Sequence, residues 1–187
     1  MAADEPMEPF MGMKVRRRSS MYRVFSADYI DVPANPTLVK LLSKQGDKQV
    51  LFADNIMKVN RKCKLVRRVL IVTDVAIYIL DSTFYRLKHR IPLQNIEKVT
   101  LSELSDNFFA ISVPSEYDCL MASTRKSEIV TVLVEAVKQL ISGTSPENEL
   151  QVKFSNSFEY YIDAEHIREV HFESAEGGGI KTRFVDK

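Results

Sequence analysis

Seven short apolar runs, separated by turn residues and followed by one amphipathic helix, leave few folds open to this chain. The runs cover 49–59, 65–73, 75–80, 84–91, 95–102, 107–113 and 117–122. Their spacing leaves no room for crossover helices, so consecutive strands must pair through tight antiparallel turns. Val69-Leu70-Ile71-Val72-Thr73 lacks polar alternation, the pattern of a strand buried on both faces. Ser123 or Thr124 then caps a helix whose Ile129, Val130, Leu133, Val134, Val137, Leu140 and Ile141 fall on one face, and Gly143 stops it. Upstream, Asn35-Pro36 supplies the cap and first-turn proline of a shorter helix carrying Leu38, Leu41 and Leu42, which ends at Gly46.

A strongly curved meander closed by one long helix outlines an α+β protein: a pleckstrin-homology-like, curved antiparallel β-barrel with a C-terminal amphipathic helix plugging an open end. The runs at 149–154, 157–162, 167–173 and 180–185 read as an additional C-terminal β-hairpin extension of the sheet, with Gly177-Gly178-Gly179 as a turn. At 187 residues, the chain has the length of one domain with appendages. Residues 1–20 lack any period and read as a disordered or partner-ordered basic tail. Residues 21–187 form the domain: an N-terminal clip and short helix at 21–48, the barrel and its helix at 49–143, and the β extension at 149–187. Tyr22, Phe25, Tyr29 and Ile30 fasten the clip to the core.

Charge is segregated more sharply than the formal net charge of +1 suggests. Lys58 to Arg68 (KVNRKCKLVRR) carries six basic side chains and no acid, and it joins two strands. Residues 155–176 carry six acids against one arginine. Function should therefore follow the local field rather than the sum. A basic hairpin on a stiff sheet is suited to a compact polyanion, because guanidinium forks and ammonium groups grip adjacent phosphates through charge-assisted bonds.

Several functions are disfavoured by the sequence. None of the six glycines is directly followed by Lys-Ser or Lys-Thr, so the usual nucleotide-binding loop is missing. His89, His166 and His171 lack zinc spacing, and the last two, five apart on a strand, are expected on opposite faces. Cys63 and Cys119 form neither a CxxC pair nor a disulfide framework and read as reduced, inert thiols. No nucleophile elbow or catalytic cysteine signature is present. The expectation is a protein that is not an enzyme, with no cofactor, no metal and no small-molecule substrate. The N-terminus has no signal-length apolar run, and no stretch approaches the roughly 18 apolar residues of a membrane span. A cytoplasmic protein that meets membranes only from outside is expected.

The chain closely resembles the tail homology 1 domain of class I myosins over about residues 14–185. The stretches that carry this are Arg16-Arg17-Arg18-Ser19-Ser20 leading to Ala27-Asp28-Tyr29-Ile30, then Val50-Leu51-Phe52-Ala53-Asp54, Lys58 to Arg68 running into Leu70-Ile71-Val72-Thr73, and Leu104-Ser105-Asp106-Asn107-Phe108-Phe109. Phe154-Ser155-Asn156-Ser157 and the glycine run add to it. The resemblance implies a pleckstrin-homology-like fold that binds anionic phospholipids, with phosphoinositides gripped by the first hairpin. On that pattern Lys58 takes the first position, Arg68 the second with Arg67 beside it, and Arg61, Lys62 and Lys64 fill the loop. Lys14, Arg16, Arg17 and Arg18 form an auxiliary cluster. Family members carry this domain behind a motor, whereas this chain starts almost at the domain, so a stand-alone tail is expected.

The leading expectation is a membrane–cytoskeleton adaptor, cytoplasmic and peripheral at the inner face of membranes. The alternative is a structural scaffold of an actin or microtubule/axonemal assembly that uses the barrel for protein docking. Nucleic-acid binding is disfavoured, since the basic cluster lacks interleaved aromatics that stack bases. Arg16-Arg17-Arg18-Ser19-Ser20 also resembles a basophilic kinase substrate; phosphate on Ser19 or Ser20 would cancel one to two charges of that cluster. The acidic 155–176 segment would be repelled from a membrane if it faced the same way as the hairpin.

Overall fold

A computed structural model of the protein describes residues 27–140 and 150–187. The basic tail with Lys14, Arg16, Arg17, Arg18, Ser19 and Ser20, the aromatics Tyr22 and Phe25, and the helix end at Ile141 and Gly143 lie outside the described residues.

The seven expected strands form as β1 (Val50–Val59), β2 (Leu65–Thr73), β3 (Ala76–Asp81), β4 (Leu87–Pro92), β5 (Lys98–Leu101), β6 (Phe108–Ser112) and β7 (Cys119–Ala122). Each pairs antiparallel with its sequence neighbour except β4 with β5, and β1 also pairs with β7. The sheet runs β4-β3-β2-β1-β7-β6-β5-β8, where β8 is Gln151–Phe154. It is curved and unclosed, with β4 and β8 as its edges.

Curvature is fed by a bulge in β1 between Val50 and Phe52. It places Leu51 and Phe52 together in the concave cluster and sends Val50 and Ala53 to the convex one. Phe52, Ile56, Leu70, Val72, Ile77, Ile79, Phe109, Ile111 and Met121 fill the concavity. The helix α2 (Lys126–Leu140) covers this cluster with Ile129, Val130, Leu133, Ala136 and Val137, so the outline is pleckstrin-homology-like. Leu140, expected on the packed face, is exposed, and α2 begins at Lys126, where the Ser123 hydroxyl accepts the Arg125 amide at 2.9 Å.

Val69 and Ile71 face the other way, as their unbroken apolar run requires, and are covered by α1 (Pro36–Gln45) through Leu38 and Leu42. The Asn35 carboxamide caps α1 by accepting the Leu38 amide at 3.2 Å, and Gly46 ends it at φ 83°. Replacing Asn35 by Ala orphans that amide, and the expected cost is about 1 kcal/mol, read as a lower urea midpoint with an unchanged slope.

The C-terminal segment does more than lengthen the sheet. β8 adds to the β5 edge in parallel register. β9 (Ser157–Tyr161), β10 (Ile167–Ser174) and β11 (Ile180–Asp186) form their own antiparallel sheet through hairpins. Val59, Ala110 and Leu120 are apolar and point outward from the main sheet, so Tyr160, Val170 and Phe172 of the second sheet stack on them. Gly177, Gly178 and Gly179 turn β10 into β11 with φ of 84°, 99° and 84°, a run that residues bearing a Cβ rarely adopt. His166 precedes β10 instead of lying on it, so the opposite-face expectation for His166 and His171 does not apply.

Candidate functional site

Register decides what the basic hairpin presents. Lys58 opposes Val66, and Ile56 opposes Arg68. Cross-strand partners share a face, so Lys58 and Arg68 lie diagonally on the concave face with Ile56 and Val66, toward the hairpin end of the two strands. Diagonal neighbours sit roughly 7 Å apart, close enough for both to reach one compact anion. Arg67 opposes Met57 and therefore belongs to the convex face, so the adjacent pair Arg67 and Arg68 is split between two surfaces.

The loop between β1 and β2 is rigid. The Asn60 side-chain oxygen accepts the amides of Lys62 at 2.8 Å and Lys64 at 3.0 Å, and the Asn60 amide donates to the Lys64 carbonyl at 2.8 Å. Cys63 turns the chain in a left-handed conformation, φ 63°. Lys62 and Lys64 are exposed on this loop. Arg61 is not open in the same way, because it donates to Asp163 at 2.7 Å. Asp163 also accepts the amides of Glu165 and His166 and pairs with the His166 ring; these contacts hold its carboxyl down at about 2.

Arg168 is the residue that sequence reasoning missed. It is only 3% exposed. Its guanidinium donates to the Asn60 carbonyl at 3.3 Å, to the Arg61 carbonyl, and to Asp186 at 2.7 Å. The second sheet thus clamps the base of the basic loop. The signal was its place in the inward alternation Arg168, Val170, Phe172 of β10, where a charged residue has to find partners.

Two further connections flank the same end of the barrel, since Arg68 opposes Asp81 and Lys58 opposes Met121. From the β6–β7 connection, Tyr117 places its ring 5.9 Å from the Lys58 ammonium. His89 stacks on Tyr117 at 4.8 Å and bonds Glu116 at 2.5 Å. Burial raises the Tyr117 phenol, with the nearby Cys119 and Glu116 adding to it. Burial also pushes the Cys119 thiol up to about 12, against the lowering effect of Lys58. A thiol held neutral in this way is packing material. Among the described residues Lys58, Lys62, Lys64, Arg67 and Arg68 take no carboxylate in an ion pair. Three of the six acids of 155–176 are paired within the described residues: besides Asp163, Glu169 pairs with His171 and Lys187, and Glu159 with Lys187. The mouth is therefore a cationic concavity with one aromatic wall, able to hold an anion by several donors at once.

A family model described as unconventional myosin tail, actin- and lipid-binding, matches residues 16–185. The myosin IB heavy chain of Dictyostelium discoideum is 31% identical over 174 residues, covering 89% of this chain and 15% of that protein. The myosin heavy chain IB of Acanthamoeba castellanii is 36% identical over 157 residues, covering 80% of this chain and 13% of that protein. The chain thus spans about one seventh of the length of these curated relatives. Among solved structures, the N-terminal PH domain of human ARAP2 aligns with a TM-score of 0.41 at 17% identity, over 50% of this chain and 84% of that one.

Proposed function

Because this chain belongs to the unconventional myosin tail family, described as actin- and lipid-binding, we propose that it is a non-catalytic module linking anionic membranes to the actin cytoskeleton. The headgroup, a phosphoinositide or another anionic phospholipid, sits in the barrel mouth between Lys58 and Arg68, with Lys62 and Lys64 on the rim. The observation that carries this reading is the shared concave face of Lys58 and Arg68 toward the hairpin end of the two strands. Arg61 and Arg67 play smaller parts, one paired to Asp163 and the other facing the convex side. Lys14, Arg16, Arg17 and Arg18 serve as a second electrostatic contact, and the protein works at the inner face of a membrane.

Magnitudes limit how much the hairpin does alone. A basic residue near an anionic surface contributes roughly 1 kcal/mol. Four such residues give about 4 kcal/mol, a dissociation constant near the millimolar range, so useful membrane residence needs additional contacts.

Sedimentation with phosphatidylcholine vesicles, alone or with phosphatidylserine or phosphatidylinositol bisphosphate, tests the proposal. Wild type should pellet only with the anionic vesicles. Arg68→Ala should weaken that binding about fivefold, whereas Arg67→Ala should change it less than about twofold. Equal losses from both, or no pelleting of wild type, would refute the site or the lipid reading respectively.

A further inference from the structure

Phe84 is the most exposed large apolar side chain among the described residues, at 65%. It stands on the β3–β4 turn, and that turn is built to hold it outward. The Asp81 carboxylate accepts the amides of Phe84 at 2.7 Å, Arg86 at 2.8 Å and Thr83 at 2.9 Å, and the Asp81 amide donates to the Arg86 carbonyl at 3.0 Å. Tyr85 then takes a left-handed conformation, φ 58°, and packs on the convex-face cluster. Sending Tyr85 inward leaves Phe84 in solvent. A slack loop could fold the ring back against the sheet; a turn pinned by four bonds does not.

The surroundings of the ring are cationic. The Arg86 guanidinium lies 5.2 Å from the Phe84 ring centre, and Lys88 is exposed just beyond on β4. Asp81, the one carboxylate between Val75 and Ile96, is turned into the loop by its amide donors. Asp81 is also the cross-strand partner of Arg68, so this turn stands beside the barrel mouth. Leu87, 38% exposed, extends the apolar patch by one side chain. An apolar tip ringed by basic groups matches a surface that is anionic outside and hydrocarbon within.

We infer that the β3–β4 turn is a second membrane-contact element, in which Phe84 enters the acyl boundary of an anionic bilayer while Arg86 and Lys88 remain at the phosphates. The inference rests on the lipid reading of the mouth and supplies part of the affinity that four basic residues lack. A single aromatic ring moving from water into the interface strengthens binding about tenfold.

The chain contains no tryptophan, so Phe84→Trp gives an indole that reports from this position alone. With vesicles of phosphatidylcholine containing one phosphatidylserine in five, the emission of that indole should shift to the blue and be quenched by lipids brominated on the acyl chains. Phe84→Ser should pellet about tenfold less tightly with an unchanged salt dependence, because no charge is lost. Its thermal midpoint should match wild type, since the ring is exposed. Pelleting of the Phe84→Trp variant without quenching, or equal affinity of Phe84→Ser and wild type, would overturn the insertion and leave the mouth reading standing. No pelleting of wild type would remove both. A blue shift produced by filamentous actin and not by vesicles would make Phe84 a protein contact and overturn the inference.

Discussion

Lys58→Glu combined with Arg68→Glu should weaken binding to anionic vesicles about a thousandfold. Each reversal removes roughly 1 kcal/mol of attraction and adds a similar repulsion, about 4 kcal/mol for the pair. The loss should be largest at low ionic strength and shrink as salt shortens the reach of charge. Reversing Lys40 and Lys138, which are exposed on α1 and α2, changes the net charge equally and should have little effect. That comparison separates a local site from overall charge. The fold should survive, since neither Lys58 nor Arg68 joins an ion pair among the described residues. A glutamate replacing Arg68 would face Asp81 across the strands and lower stability by less than about 1 kcal/mol. Retention of vesicle binding within about threefold would move the lipid site off the concave face.

Much of this architecture was legible in local sequence. The strands follow from apolar runs punctuated by turns, and α1 from Asn35, Pro36 and Gly46, because those signals act over a few residues. Three features had no local signal. The bulge between Val50 and Phe52 depends on which residues the partner strand offers. The parallel pairing of β8 with β5 joins segments about fifty residues apart. The stacking of the second sheet depends on outward-facing Val59, Ala110 and Leu120, whose orientation is settled only once register is known.

For the site, composition found the basic hairpin but treated six side chains as one group. Antiparallel register divides them, since Arg68 follows Ile56 to the concave face while Arg67 follows Met57 to the other. The acidic 155–176 segment looked like a source of repulsion, yet it contributes Asp163 to Arg61 and Arg168 to the loop carbonyls. Phe84 was counted as part of a strand run, when it is the outward tip of a turn.

Arg168 carries the second large expectation. Arg168→Leu should lower stability by about 3 kcal/mol, because it removes a charged fork from Asp186, takes the donor from the Arg61 carbonyl and leaves the Asn60 carbonyl with the Cys63 amide alone. Arg168→Lys should recover little, since one ammonium cannot reach two carbonyls and Asp186 with the geometry of a guanidinium. Asp186→Asn should cost less than about 1 kcal/mol, because the Asp186 side chain is 74% exposed and water replaces the partner. Urea unfolding reads all three, and a wild-type midpoint for Arg168→Leu would remove the clamp from the account. Amide exchange at Lys62 and Lys64 adds a local test, since their hydrogen bonds to Asn60 persist only while the loop is held. Under conditions where Arg168→Leu is still folded, its vesicle affinity should fall a fewfold although none of the basic residues of the hairpin has changed. A loop that must be ordered on binding pays entropy that a clamped loop does not. The C-terminal sheet would then matter to the membrane contact without touching the lipid: it keeps Lys62 and Lys64 on the rim of the mouth.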